Sequence, residues 1–414
     1  MTTLTPAENT APRRTALGRA VLFLVVACVL TSGIYFARKS GADPQVYSSD
    51  FNVYYYAARE VTVGRDPYGR SLGEWTPYLY PPLLAELLVP LALLPLPLAA
   101  YAWFVISAAS ILGAAWLSAL LATERGVTSI AWRVLLAACA VLVVLRFVLD
   151  NFNLGQVNPL IAGLAVAHVY LYARDRKTLS AIALCLAVSI KLTPALLLLY
   201  HVARLRLKFA AACIALIAAV TFASFLPFGA NGVDAFRMFV SRTVKNEQGY
   251  DFAYSGNQSL RGAVARLTDH AAHSEESRSP LSAVTLAISM VLLLLAFIGS
   301  VRAEGELGAV VPLFCCFVLL SPLSWKAHFV ALVVPAAYLF SRARDSTGAR
   351  RILVTSVLVI TFALFNLISP RVIGLAAAEW SDAHSLVLAG GLLVFVACVV
   401  SSPTRKFGKA SPVC

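Results

Sequence analysis

Residues 174–208 read RDRK-TLSAIALCLAVSIKLTPALLLLYHVA-RLRLK, and the fold turns on how this stretch meets a membrane. Both ends are basic: Arg174, Arg176 and Lys177 on one side, Arg204, Arg206 and Lys208 on the other. Basic short loops belong on the cytoplasmic face. A single crossing by 178–203 would carry one of them outside and invert everything downstream. The apolar run is broken by Ser189-Ile190-Lys191-Leu192-Thr193-Pro194. Proline removes a helix hydrogen bond and disfavours helix at the residue before it. The expectation is two half-helices that enter from the cytoplasm, turn at Lys191-Leu192-Thr193-Pro194 and return. Irregular backbone at membrane depth survives only where protein or a water-filled cavity covers it, so Lys191 should face a cavity.

The composition agrees with a membrane setting. The chain of 414 residues is 59% hydrophobic and 13% charged, against roughly 25% charged in soluble domains. Several charge-free runs reach about 20 residues, enough to span a bilayer as a helix. The net charge of +13 does not point to nucleic acid, because the basic residues gather in short loops, as also at Arg342, Arg344, Arg350, Arg351 and at Arg405, Lys406, Lys409. The long polar stretches 38–80 and 229–280 balance their acids and bases and belong outside. The eight cysteines are scattered without a CxxC pair and read as small buried hydrophobes, not as a metal or disulfide framework.

The reading is therefore an all-α polytopic membrane protein. About ten crossings are expected: 17–37, 98–121, 129–149, 156–173, 209–228, 281–301, 307–321, 328–341, 352–368 and 384–401. Arg13, Arg14 and Arg19 before an apolar run also fit a secretory signal, but no cleavage pattern follows, and the first helix reads as retained. Residues 1–16 and 402–414 are then cytoplasmic tails flanking one transmembrane domain, 17–401. Residues 82–97, punctuated by Pro90, Pro95 and Pro97, pose the same parity problem. Either they form a re-entrant hairpin, or they span once and a second break falls near 143–149.

With this topology the unusual polar residues collect outside or near the outer boundary: Asp50, Asp150, Asn151, Gln156, Asn158, Lys191, Asn257, Arg261, Ser324, Lys326 and His328. Ionisable groups at such depth are functional candidates by default. Asp50 is positioned as a general base that removes a proton from a hydroxyl nucleophile, although Ser49 or Asp50 could equally cap the helix that follows. In that helix, 51–63, Phe51, Tyr54, Tyr55, Ala58 and Val61 share one face, as in an interfacial helix. Lys191 offers a cation to a leaving phosphate. Asp150 reads as a second acid, a helix-end cap or a partner of Arg146. No metal-ligand cluster, phosphate-cradling glycine loop or nucleophile triad is present. Asn257-Gln258-Ser259 also matches the N-glycosylation sequon.

Taken in order, the motifs are Asp50-Phe51-x-x-Tyr54-Tyr55, Gly64-x-Asp66-Pro67-Tyr68, Tyr80-Pro81-Pro82-Leu83, Gly155-Gln156-Val157-Asn158, Lys191-Leu192-Thr193-Pro194, Asn257-Gln258-Ser259-Leu260-Arg261 and Ser321-Pro322-Leu323-Ser324-Trp325-x-x-His328. The series resembles glycosyltransferase family 87, polytopic enzymes of the GT-C fold that include polyprenyl-phosphomannose-dependent α-mannosyltransferases. The resemblance implies a hexosyltransferase of the inner membrane, with its site facing the periplasm or exterior. It implies a polyprenyl-phosphate sugar donor, a lipid or glycan acceptor, inversion at the sugar, no cofactor or metal, and Asp50 as base. Lys191, Arg261, Lys326 and His328 would hold the donor phosphate. Tyr54, Tyr55, Tyr80, Gln156, Asn158, Asn257, Ser324 and Trp325 would bind substrate. The family often carries two adjacent histidines after Ser-Pro-x-Ser-Trp; here Ala327 replaces the first. Two other classes compete: a secondary transporter, which normally shows internal repeats of helices not seen here, and a non-catalytic polyprenyl-lipid binder, which has no need of Asp50.

Overall fold

The computed structural model describes residues 27–41, 49–69, 77–124, 129–245, 250–268 and 282–403. The expected N-terminal tail, the start of the first crossing and all but two residues of the C-terminal tail lie outside these. Among the described residues the chain is helical, without strands.

A first helix, α1 (27–40), leads to α2 (Asp50–Thr62), the short α3 (Pro82–Leu87) and α4 (Val89–Ala92), and then the long α5 (Leu96–Ala122). Next come α6 (Ile130–Val143), α7 (Leu145–Leu154), α8 (Asn158–Ala173) and α9 (Lys177–Ile190). A 3-10 turn, Thr193–Leu196, precedes α10 (Leu197–Ala203) and α11 (Leu207–Ala223). α12 (Gly232–Phe239) and α13 (Leu260–Thr268) lie in the second long polar stretch. The chain finishes with α14 (Ala283–Arg302), α15 (Glu306–Leu319), α16 (Val333–Asp345), α17 (Gly348–Phe362), the short α18 (Pro370–Ile373) and α19 (Leu375–Ala383), and α20 (Leu386–Ser401).

Helix occupies the described part of every expected crossing, but the spans are unequal. Leu96–Ala122, Ala283–Arg302 and Gly348–Leu367 are long and apolar enough to cross alone. The pairs α6–α7 and α11 with its continuation each bend by 69°, and α19–α20 by 54°. α8, α9 and α15 are shorter apolar helices. The shortening has a physical reason: α8 begins and α9 ends at the polar cavity described below. Side chains and the cavity, instead of lipid, can satisfy the backbone there.

The broken stretch 178–203 does fold back on itself, and α8 is the ruler that shows it. At the start of α8, Asn158 accepts a 2.7 Å hydrogen bond from Lys191 Nζ, at the break. Toward the far end of α8, His168 contacts both ends of the hairpin: its Nδ1 lies 2.8 Å from Ser180 Oγ and its Nε2 lies 2.9 Å from His201 Nε2. α9 therefore climbs toward the break and α10 descends from it. α11 then runs alongside α9 in the same direction, with Ser189 and Thr221 hydroxyls 2.9 Å apart and Cys185 Sγ 3.7 Å from the Leu216 carbonyl.

The basic loops meet at the other end of the bundle. Arg204 donates to the carbonyls of Ala303 and Gly305 at 2.8 and 3.0 Å, and Glu304 N donates to the Pro403 carbonyl. Arg342 donates to the Ser401 carbonyl, and Ser341 to the Ala122 carbonyl. These contacts place the turns after α5, α10, α14, α16 and α20 together, as the charge pattern requires.

Residues 82–97 do not span: helices of six and four residues rise only about 1.5 Å per residue. They pack along α2, where the Tyr55 hydroxyl donates to the Leu94 carbonyl at 2.8 Å. The break near 143–149, expected only if they spanned, nevertheless exists at Val144. α2 also differs in detail from a helix floating at a lipid interface. Its apolar face, Phe51, Tyr54, Tyr55 and Ala58, is buried against protein, with the Phe51 ring stacked on Trp103. Asn52 is buried too.

The hairpin yields a direct test. In a cysteine-free background, Arg176→Cys and Lys208→Cys should both react with a membrane-impermeant maleimide from the same side of sealed vesicles. Labelling from opposite sides would refute the fold-back.

Candidate active site

Helix α2 starts at Asp50 because Ser49 caps it: the Ser49 hydroxyl accepts from Asn52 N at 3.1 Å. That cap leaves the Asp50 carboxylate free of the helix end. Its Oδ2 instead accepts a 2.9 Å hydrogen bond from Gln156 Nε2. Gln156 Oε1 accepts from Asn158 Nδ2, Asn158 Oδ1 accepts from Lys191 Nζ, and Lys191 Nζ lies 3.2 Å from His328 Nε2. A continuous polar chain thus joins the residues of four distant motifs. An ammonium can only donate, so His328 presents its Nε2 lone pair to Lys191 and carries its proton on Nδ1.

The motif Gly155-Gln156-Val157-Asn158 is the hinge that makes this possible. Gly155 ends α7 in the left-handed region, φ 66°. A Cβ there would come within 2.6 Å of Phe51 Cβ and 2.7 Å of the Phe36 ring, so glycine also permits the approach of α1 and α2. Trp103 Nε1 holds the Gly155 carbonyl at 2.8 Å. One residue on, Gln156 reaches Asp50. Two further on, Asn158 opens α8, facing Lys191 and also donating to Asn151 Oδ1 at 3.1 Å.

Of the polar chain, Asp50, Gln156, Lys191 and His328 line a cavity of about 400 Å³, and Asn158 stands behind them. Asp50, Tyr54, Tyr80, Gln156, Lys191, Trp325 and His328 of the expected residues contribute to its wall. Tyr54 donates to the Tyr80 hydroxyl at 3.0 Å, and Tyr80 in turn is held by the Tyr68 hydroxyl on its carbonyl. Asp66 Oδ1 accepts from Tyr68 N, so Gly64-x-Asp66-Pro67-Tyr68 is a turn that seats this aromatic wall. Burial pushes the Asp50 carboxyl above the usual carboxylate range; the Gln156 hydrogen bond and the Lys191 charge pull it partly back. Burial likewise raises the phenols of Tyr54 and Tyr80, which stay protonated donors.

The other expected residues stand outside the cavity wall. Tyr55 spends its hydroxyl on the Leu94 carbonyl. Asn257 is a clasp: Nδ2 donates to the carbonyls of Phe252 and Pro322, and Oδ1 accepts from the backbone N–H groups of Ser259 and Ser324. It is fully buried with its amide in use, which removes the glycosylation reading for the folded chain. Gln258 N and the Ser324 carbonyl add a 2.8 Å bond, so Asn257-Gln258-Ser259 shapes the loop whose Pro322, Leu323 and Trp325 face the cavity. Ser324 acts through its backbone. Arg261 and Lys326, expected at the donor phosphate, are not on the wall. Lys326 Nζ is engaged 2.5 Å from Asp382 Oδ2, and buried Arg261 lays its guanidinium over the Phe252 ring. Asp150 is not on the wall either; the Arg146 guanidinium spends a hydrogen bond on the Ile368 carbonyl. Conversely, Arg242, Thr243, Tyr250 and Phe252 line the cavity without having been singled out, and so does Thr193, read only as part of the turn. Arg242 sits in a polar stretch balanced in charge, where sequence gives no reason to prefer one arginine over another.

The profile of glycosyltransferase family 87 matches residues 78–323. The chain belongs to glycosyltransferase family 87. Among its relatives is a polyprenol-phosphate-mannose-dependent alpha-(1-2)-phosphatidylinositol pentamannoside mannosyltransferase of Mycobacterium tuberculosis, 30% identical over 84% of this chain and 79% of that protein. One with the same description from Mycolicibacterium smegmatis is 30% identical over 69% of this chain and 66% of its own. The apo structure of ArnT from Cupriavidus metallidurans overlays 94% of this chain and 77% of that one, with a TM-score of 0.35 and 14% identity, a likeness too slight to argue from. With the family established, this is an integral membrane glycosyltransferase.

Gly155→Ala tests the hinge. A left-handed alanine costs about 1–2 kcal/mol and the overlap with Phe51 and Phe36 about 1–3 more. The purified variant should unfold at a clearly lower temperature, with activity reduced through the displaced Gln156. An unchanged midpoint would show that the three segments do not meet as tightly as described.

Proposed function

We propose that this chain transfers mannose from a polyprenyl-phosphate donor to a hydroxyl of a mannosylated lipid or glycan, on the outer face of the inner membrane, with inversion and with Asp50 as general base. The observation that carries the reading is the cavity-facing carboxylate hydrogen-bonded by Gln156 and acted on by the Lys191 charge at the site end of the bundle. The relatives' printed donor and acceptor, polyprenol-phosphate-mannose and phosphatidylinositol mannosides, supply the substrate classes. The charge pattern supports the orientation, because the basic loops gather at the end opposite the cavity.

In this reading the acceptor hydroxyl loses its proton to Asp50 as its oxygen attacks the anomeric carbon. Gln156 fixes one carboxylate oxygen and leaves the other for the acceptor. A base held above the usual carboxylate range is the better proton acceptor near neutral pH. Lys191, tied to Asn158 and His328, keeps positive charge beside the reacting centre. Tyr54 and Tyr80 offer rings and hydroxyls to the sugar. Neither the transporter nor the passive lipid binder accounts for a carboxylate so held.

Asp50→Asn should lower turnover by about 10²–10⁴-fold while the protein folds and binds donor like wild type. Retention of most activity would end the assignment of the base. The pH profile carries a second test. Only ionised Asp50 acts, so activity should fall as pH drops through its raised pKa. The acid limb should therefore sit above about pH 4, the ordinary aspartate value. A limb at or below that value would mean that burial does not govern this group.

A further inference from the structure

Three groups bring positive charge or an ionisable nitrogen to the cavity wall among the described residues: Lys191, His328 and Arg242. The first two are bonded to each other, and Lys191 also to Asn158. Lys191 is the cation whose charge acts on the Asp50 carboxyl. Arg242 is different. It stands on a short π-helical turn, Val240–Val244, after α12. The turn is fixed to the cavity wall at Leu79 by its neighbour Thr243, whose hydroxyl donates to the Leu79 carbonyl at 2.7 Å. Arg242 Nη1 is buried and has no hydrogen-bond partner. Its charge acts on the phenols of Tyr250 and Tyr68, and Tyr250 is the side chain that also feels Asp50.

A buried guanidinium N–H without an acceptor is costly, and a guanidinium matches phosphate oxygens in shape and charge. Inversion adds a geometric demand. The attacking oxygen and its base lie on one face of the sugar, and the leaving phosphate on the other. The cation that serves the leaving group should stand beyond the sugar from Asp50, not next to it. Lys191 is the cation whose charge acts on the Asp50 carboxyl; the charge of Arg242 acts on Tyr250, which Asp50 also reaches.

We propose that Arg242 binds the lipid phosphate in this cavity, the task that sequence had given to Arg261 and Lys326. The proposal rests on the glycosyl-transfer reading above. In the transfer the acceptor O–C1 bond forms, the C1–O bond to phosphate breaks, the acceptor proton goes to Asp50, and the bonding pair leaves with the phosphate. The polyprenyl phosphodiester becomes a monoester and gains negative charge, which the Arg242 guanidinium would stabilise. A phosphate could also arrive with a phospholipid acceptor, and the experiment separates the two.

The test uses purified full-length wild type, Arg242→Gln and Arg242→Lys, with polyprenyl-phosphomannose as donor. Two acceptors are compared: a phosphatidylinositol mannoside and a neutral alkyl mannoside without phosphate. If the bound phosphate is the donor's, Arg242→Gln should lose about 10²–10³-fold in kcat/KM with both acceptors, Arg242→Lys should recover part of it, and the unfolding midpoint should stay unchanged. If the loss occurs only with the phosphatidylinositol acceptor, Arg242 holds the acceptor's phosphate and the lipid-phosphate assignment stands. Wild-type kinetics in both variants with both acceptors would overturn it. Binding of polyprenyl monophosphate provides an arm independent of transfer and of any folding defect in the glutamine variant. Its affinity should fall in Arg242→Lys relative to wild type, and more in Arg242→Gln. Should wild type transfer no sugar from any donor while this binding still depends on Arg242, the transfer reading fails and the phosphate site survives. Binding indifferent to Arg242 removes the site even where wild-type transfer is intact.

Discussion

A lysine ammonium at the tip of a broken helix, inside an apolar bundle, has to be solvated by protein. Unpaired, it would cost several kcal/mol. Here Asn158, His328 and, through Gln156 and Asn158, the Asp50 carboxylate supply that solvation. Each partner comes from a different part of the chain, so satisfying one charge fixes the meeting of α2, the α7–α8 hinge, the α9–α10 hairpin and the 3-10 turn Lys326–Leu332 before α16. The same arrangement solves the converse problem. Asp50 is desolvated, and Gln156 and Lys191 offset part of that penalty. The result is a carboxylate that is accessible to a cavity yet held at a raised pKa.

Around this polar chain the remaining motifs act as scaffolding of graded distance. Gly155 permits the backbone approach that sets Gln156 against Asp50. Tyr68 and Tyr78, anchored on the Tyr80 and Pro81 carbonyls, stiffen the wall that Tyr54 and Tyr80 present. Asn257 ties four backbone groups and so shapes a loop it does not itself expose to substrate. A buried amide with all its hydrogen bonds made is strongly position-specific, because removing it leaves several orphaned partners. That explains how a motif can be essential to a site without touching what the site binds.

Much of the site could be read from sequence wherever the residue type was physically out of place. Lys191 beside Pro194 inside an apolar run, and Asp50 just beyond the first helix, stood out because burial penalises them. The charge of the flanking loops then required a fold-back, and the contacts of His168 with both Ser180 and His201 bear it out. Arg261 and Lys326 stand off the cavity wall for a reason that sequence does not show. A cation near a boundary looks available until its partner is known, and Asp382, which engages Lys326, lies 56 residues away in the chain. Arg242 escaped notice because it lies in a charge-balanced loop.

The sequence by itself determined the membrane setting, the all-helical class and which basic loops gather at one end, since hydropathy, proline and loop charge act locally and survive without knowledge of packing. Only the tertiary structure decided which polar groups share one cavity and which are spent on each other. It decided that the α2 face is buried in protein and that 82–97 stays short of a span. It also decided that Arg242, not Arg261 or Lys326, reaches the cavity. Those outcomes depend on which distant groups pair off, and pairing in a desolvated interior is a property of the assembled bundle.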